Sequence, residues 1–546
     1  RFDKLKMKMR KLIFFSILLF LFCETTNAQD AQLNPEFHKS KRDALRAKMP
    51  ANSVAILFAN PVRNRANDVD FIYHQDPNFY YLSGFKEPQS VLVIYKETQQ
   101  DAKGGYLDQL FVQERNAARE QWNGYRLGVE GAKKLGLDRV LLRSEFINNQ
   151  TNFTSFKEVL IFDFENDVRN NKNDPYDLYD LQRTFKENIN YSEDFNRLRH
   201  RLLKSIRTVK TEDIENLKNE IELYSKRNET IAFDPAIQNF IKSSTLEVPD
   251  DLKMQVAFLL KDQYFDVELL GQLLGDLREV KTEEEIALLK MAINISVVGQ
   301  REVMKAMSPN MSEREIQGIH EFVFKKYGAA YEGYPSIVGA GSNACVLHYI
   351  ENDEVGLGSD LILMDLGAEY EGYTADITRT IPKDGTFSEP QKLLYEIVYE
   401  AQNAGIEAAL VGNSAGQVTQ ATQEVVSAGL LRLGIISDEK EFRKYFPHGA
   451  AHHIGLDVHD LSNYGPLKAD AIITVEPGIY IPKNSPCDPK WWGIGIRIED
   501  DVLITDNGPI NLSSNAPRSW QSIEALMKEA SPLDQFLLPE LENQFN

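Results

Sequence analysis

Four carboxylates set inside strand-like runs are the residues of this chain best placed to do chemistry. The segment LILMDLGAEYEGYTADITRTI, 361–381, reads as two β-rich runs around a turn near Tyr370 and Glu371, a register that predicts Asp365 directly opposite Asp376. Cross-strand partners lie about 4.5–5.5 Å apart at Cβ, so like charges there are destabilising unless a cation sits between them. The runs TVEPGIYI (474–481) and GIGIRIEDDVLI (493–504) repeat the arrangement with Glu476 and Glu499. Glutamates in apolar strands are rarely tolerated without a partner. The two hairpins read as two halves of one site, each giving two acids.

Between them, PHGAAHHIGLDVHD (447–460) holds four of the nine histidines. His448 and His452 are four apart, the spacing of a helical zinc pair, but flanking glycines disfavour a helix and no HExxH glutamate is present. Four carboxylates carry −4 and two divalent cations +4, so Asp365, Asp376, Glu476, Glu499 and one imidazole suit a dinuclear centre. Such cations sit roughly 3.5–4 Å apart and can share a bridging water whose lowered pKa supplies hydroxide near neutrality. Oxygen-rich ligation with one nitrogen fits manganese, cobalt or zinc better than a thiolate-seeking metal, and the residues alone do not choose among the three.

Elements that could position these residues follow from periodicity. Thr282 and Glu285 have capping-box spacing, and Ile286, Leu289, Ile293 and Val297 form an apolar stripe, so a helix opens a new domain just before this point. Strands, glycine turns and further helices then run to about residue 530, an α+β pattern. Upstream, runs at 54–58, 78–85, 91–95 and 110–112 read as strands alternating with charged helical stretches, an α/β domain over 35–153. Residues 154–270 read as a largely helical, solvated insertion and linker, 271–530 as the catalytic domain and 531–546 as a tail.

Composition narrows the class. At 546 residues with 42% hydrophobic and 26% charged residues, the chain fits several packed soluble domains. Its formal charge of −20 and lack of a basic stripe argue against nucleic acid as a partner. Cys23, Cys345 and Cys487 lack CxxC spacing, which excludes a zinc knuckle or dithiol redox motif, and pairing of the last two stays open. Lys6, Lys8, Arg10 and Lys11 precede an apolar run at 12–22, too short to span a bilayer and proportioned like a signal peptide. Cleavage near Ala28 would leave an exported, periplasmic or secreted chain of charge −24 with no stable membrane anchor.

Taken in order, NACVLHYIEN, DLGAEYEGYTADITRT, HGAAHHIGLDVHD, TVEPGIYI and GIGIRIEDD resemble the pita-bread metallopeptidases, most closely the aminopeptidase P group, over about residues 40–150 and 270–530. The resemblance implies a C-terminal pita-bread catalytic domain behind a creatinase-like N-terminal domain. It implies metal ligands at Asp365, Asp376, His452, Glu476 and Glu499 and supporting catalytic histidines at His348, His448 and His459. Tyr334 and Arg497 match positions that line the substrate pocket, and His453 has no assigned role. NFYYLSGFKEPQSVLVIY, with Arg115 and Trp122, resembles the N-terminal domain that limits the entrance and supports homo-oligomers in such enzymes.

The expected reaction is hydrolysis of the N-terminal Xaa-Pro bond of peptides by the bridging hydroxide. Glu476 would move the proton, His348 or His459 would support the oxyanion and Asp365 would help anchor the free amine. Proline would lie against His448, Tyr334 and Arg497. A prolidase on the same scaffold is the nearest rival, although the short 482–492 connection resembles aminopeptidase P. Methionine aminopeptidase and a metal-free pita-bread binding protein are more distant readings.

Overall fold

The computed structural model describes residues 33–148, 151–165, 167–243, 247–261, 263–356 and 360–535. The expected signal peptide lies outside the described residues, as does most of the 531–546 tail. Among the described residues no helix is long and apolar enough to cross a membrane.

The N-terminal domain is built on a six-stranded mixed sheet. Its strands run in the order Arg139–Leu142, Gly104–Val112, Val91–Asp101, Ser53–Phe58, Glu158–Leu160 and Phe265–Asp266. Ser53–Phe58 is antiparallel to Val91–Asp101 and parallel to Glu158–Leu160, and five of its six residues are buried. The boundaries expected at 153 and 270 therefore fall around strands that belong to this sheet, because two short parallel strands after residue 153 complete it. The 78–85 run is a helix, Pro77–Ser83, where a strand was expected. Asp76 caps it through the Phe79 amide, Pro77 starts it and Gly84 ends it in the left-handed region, signals that outweigh its aromatic content.

Between the last two strands of the sheet the chain is helical. Leu178–Asn188, Arg197–Thr208, Ile214–Ser225, Pro235–Lys242 and Asp250–Leu259 are its longer helices. Leu202, Leu203, Ile206, Ile221, Phe240 and Val256 fill a separate apolar core there.

Four helices frame the catalytic domain: Glu283–Ala306, Glu313–Lys326, Glu389–Ala408 and Ala415–Arg432. Each starts with a capping box, Thr282/Glu285, Ser312/Glu315, Ser388/Gln391 and Ser414/Gln417, which satisfies free amides of the first turn reciprocally. Leu289, Ile293 and Val297 of the first helix are buried, as the stripe predicts, and Ile286 is partly so. One apolar core runs from Leu45, Phe79 and Leu82 of the N-terminal domain to Leu288, Ile293 and Ile377 of the catalytic domain. The two domains are thus packed as one body around the site.

Candidate active site

The first hairpin pairs Leu361–Asp365 with Thr378–Pro382 and Ala368–Tyr370 with Tyr373–Thr374. Its turn is Glu371–Gly372, both at positive φ (49° and 88°), the geometry a two-residue hairpin needs to match strand twist. The register therefore differs by two residues from the predicted one: Asp365 faces Thr378, and Asp376 lies diagonally from Asp365 rather than opposite it. A shift of two keeps side chains on the same face, so the carboxylates still meet. Gly367 stands opposite Asp376, where a Cβ would lie 1.7 Å from the Ala375 carbonyl oxygen, so only glycine fits this interruption of the ladder.

The second hairpin pairs Ile472–Val475 with Asp500–Leu503 and Gly478–Ile481 with Ile494–Arg497. Its register is continuous across the gap, since the Ile498 amide donates to the Pro477 carbonyl, and this sets Glu476 opposite Glu499. The hairpins are knitted together. The Glu499 amide donates to the Thr378 carbonyl (3.1 Å) and Thr378 Oγ1 donates to Glu499 Oε2 (2.6 Å).

The 448–460 segment is not helical. It runs beside Ile472–Val475, with the Thr474 amide donating to the His452 carbonyl (2.9 Å) and the Glu476 amide to the Ala450 carbonyl (3.0 Å). His452 Nδ1 lies 3.2 Å from the His453 carbonyl, to which it can only donate, so Nε2 keeps its lone pair. That nitrogen is 3.6 Å from both Asp376 Oδ2 and Glu476 Oε1. One ligand atom each from Asp376, His452 and Glu499 lie within 4.8 Å of one another. Asp376 is in hydrogen-bonding contact with Asp365 and Glu499.

Charge explains the state of these groups. Burial and the neighbouring carboxylates hold Asp376 and Glu476 well above the usual carboxylate range and push Glu499 up to about 8. Asp365 is held below its ordinary value: burial raises it, but Arg497 Nη2, 2.6 Å from Asp365 Oδ2, overrides that. Tyr334 Oη is 2.6 Å from both Asp365 Oδ1 and Asp376 Oδ1. One hydroxyl proton cannot serve both, so the second contact needs a proton on Asp376. Four buried acids against one guanidinium is a charge deficit that divalent cations would remove, and the donor set of carboxylate oxygens with one free imidazole nitrogen fits them.

Tyr334 and Arg497, expected at a substrate pocket, both line the cavity that holds the four acids, and their polar groups are committed to protein. Arg497 donates to Asp365, to Tyr480 Oη (2.9 Å) and to Thr378 Oγ1 (3.2 Å). Tyr480 Oη is 2.9 Å from His448 Nε2, while His448 Nδ1 faces the Gly449 carbonyl at 2.6 Å. Burial, then Arg497, lowers His448 to about 4, so it accepts from the tyrosine as a neutral imidazole. His348 and His459 are exposed at the mouth, and the His459 ring meets the His452 ring edge-on with centroids 4.3 Å apart. His453 is buried and its carbonyl accepts from the Asp460 amide, a structural placement. Cys345 and Cys487 are free thiols.

The four acids, His348, His448, His452, His459, Tyr334 and Arg497 line one cavity of about 670 Å³, with Leu347, Ile337 and Val458 as its apolar walls, whereas Tyr480, Thr378 and His453 do not line it. A second cavity of about 710 Å³ shares Tyr334, Pro335, Ile350, Val458 and His459 and reaches His74 of the N-terminal domain. Sequence reasoning missed Tyr480 and Thr378. Thr378 is two residues from Asp376 on a strand, hence on its face, and Tyr480 lies within the same TVEPGIYI run as Glu476, so both signals were present.

Paired acidic hairpins, a free imidazole nitrogen and a half-open cavity define a metallohydrolase. Residues 287–506 match metallopeptidase family M24 and residues 38–156 match the aminopeptidase P N-terminal domain, and the chain belongs to this family. It is 32% identical to Xaa-Pro aminopeptidase of Haemophilus influenzae over 91% of this chain and 98% of the relative. It is 31% identical to the Escherichia coli Xaa-Pro aminopeptidase over 92% and 99%. The structure of E. coli aminopeptidase P with the inhibitor Pro-Leu superposes with a TM-score of 0.71 at 30% identity, covering 91% of this chain and 98% of that one.

Proposed function

We propose that this chain removes the first residue of peptides whose second residue is proline, with two divalent cations held by Asp365, Asp376, His452, Glu476 and Glu499. The observation that carries this reading is the junction of two acidic hairpins around the free Nε2 of His452 in the lining of one cavity. Similarity to enzymes called Xaa-Pro aminopeptidase, over nearly their full length, supports the substrate class. When bound, the cations supply a hydroxide nucleophile at neutral pH and draw electrons from the scissile carbonyl.

The remaining work falls to side chains. Glu476, beside His448 and His452, takes the proton of the nucleophile and passes it to the proline nitrogen as that bond breaks. His348 and His459 at the mouth donate to the oxyanion. Asp365, kept ionised by Arg497, receives the free ammonium of the peptide, which restricts cleavage to the first bond. The proline ring lies against His448, Tyr334 and Arg497, and Tyr480 Oη, hydrogen-bonded to both His448 and Arg497, holds that wall in place from behind.

Manganese is the proposed metal, supported by oxygen-rich ligation with one imidazole; a zinc-substituted E. coli aminopeptidase P is among the similar structures. Export before action and assembly into homo-oligomers belong to the same proposal, supported by the basic and apolar N-terminal run and by Trp122, which is 87% exposed. Side-by-side assays of a Xaa-Pro dipeptide and a Xaa-Pro-Yaa peptide, with chelator and then with manganese, test it. Cleavage of the longer peptide, lost with chelator and restored by manganese, is expected; cleavage of the dipeptide alone would identify a prolidase instead.

A further inference from the structure

We infer that Gln300 and Gln402 are paired positioning residues, one in each half of the site, that set the spacing of the carboxylate-bearing strands and thereby the affinity for the cations. Gln300 lies in the helix Glu283–Ala306 and is fully buried. Its Nε2 is 3.2 Å from the Met364 carbonyl and 2.9 Å from the Ile377 carbonyl. Met364 immediately precedes Asp365, and Ile377 immediately follows Asp376. One amide thus spans both strands at the point where the ladder is interrupted at Gly367 and its own cross-strand bonds thin out.

Carbonyl oxygens only accept, so these two contacts fix which end of the side chain is nitrogen. Both N–H groups of a planar amide are used, which fixes their directions as well as their lengths. Gln300 Oε1 has no partner among the described residues, so the side chain is held by its two donor bonds alone.

Gln402, in the helix Glu389–Ala408 and likewise fully buried, repeats the device in the second half. Its Nε2 is 3.2 Å from the Val475 carbonyl, next to Glu476, and 3.0 Å from Asp500 Oδ2, next to Glu499. Its Oε1 accepts from Arg518 Nη1 at 2.9 Å. Each hairpin therefore has a glutamine from a different helix donating to the residue before its first acid and the residue after its second. Neither glutamine lines the cavity, so neither touches substrate.

The inference rests on the five-ligand reading of the site, and the test separates the two. Full-length wild type, Gln300→Met and Gln402→Met are stripped of metal, checked for fold by circular dichroism and melting, and titrated with Mn²⁺ and with Zn²⁺ by calorimetry. Wild type is expected to bind two cations. Each variant is expected to melt as a folded protein but to bind at least one cation roughly 10- to 100-fold more weakly, the range for residues that orient metal ligands from behind. At saturating metal its kcat should recover with KM unchanged, which a general loss of folding would not allow. Affinities equal to wild type in folded variants, or losses that follow only the unfolded fraction, overturn the positioning role. Absence of cation binding in wild type overturns the ligand reading and this inference together. Should Gln300→Met fail to fold, Gln402→Met decides by the same criteria.

Discussion

The helical insertion and the paired hairpins are built on opposite principles. The insertion closes on apolar side chains, and among its described residues the buried ionisable groups are scattered, such as Asp234 paired with Arg199 at 2.6 Å. The hairpins bury Asp365, Asp376, Arg379, Arg497, Glu499, Asp500 and Asp501 within a short distance of one another. Arg379 and Asp500 have no exposed side-chain surface and lie 2.7 Å apart. Breaking a buried charged pair costs far more than replacing both partners by apolar groups gains or loses, so such a region is poor at stabilising a fold. The lesson is that the insertion's interior serves folding, whereas the hairpins spend stability to hold charges in place for chemistry.

The sharpest way to break this comparison is to remove charge at the reacting centre while leaving shape alone. Glu476→Gln should lower kcat by about 10³-fold, within the range for loss of a general acid–base group, with the fold intact by circular dichroism. Near-normal turnover would remove Glu476 from the proton path.

Next in size is a contrast between the two interiors. Arg379→Met removes the nearer of the two arginines from buried Asp500, leaving Arg518 at 3.6 Å, and should cost about 3 kcal/mol. Leu203→Ala, in the insertion, should cost about 2–5 kcal/mol through the cavity it leaves. Denaturant unfolding measures both, and only the first should also lower metal affinity, because Arg379 Nη1 donates to the Glu499 carbonyl at 2.6 Å.

The last contrast is a pH dependence of opposite sign in the metal-free and loaded forms. Glu499 has a folded value raised to about 8 from an ordinary 4.5, so the metal-free native state holds a proton in this window that the unfolded chain releases. Its contribution to stability is therefore present below about pH 4.5 and lost as pH rises toward 8. Melting of the metal-free chain should fall across that window. Metal binding needs deprotonated ligands, so the loaded form should instead become more stable as pH rises.

Much of this was legible beforehand because the signals were local. The Thr282/Glu285 capping box and the Leu289, Ile293 and Val297 stripe depend on neighbours within a few turns, and the structure reproduces them. Acids inside apolar strands stood out since burial without a partner is costly. The 78–85 run misled because aromatic residues favour strands on average, whereas Asp76 and Pro77 start a helix at that particular place. The hairpin register was misplaced by two residues because the choice between turns at 370–371 and 371–372 depends on positive φ at two positions.

The sequence by itself brought out the acids and imidazoles that the structure gathers into one cavity, since carboxylates in β runs and clustered histidines can be seen before any folding is known. It also determined the face they share, because strand alternation has a period of two and a two-residue slip does not change it. Only the tertiary structure decided that the two hairpins meet, that Arg497 holds Asp365 below the ordinary carboxylate range while burial raises the other three acids above it, and that Gln300 and Gln402 donate to the strands beside those acids. Those relations join residues from about 60 to more than 130 positions apart, and proximity at that range is set by how helices and strands pack together, which no local pattern records.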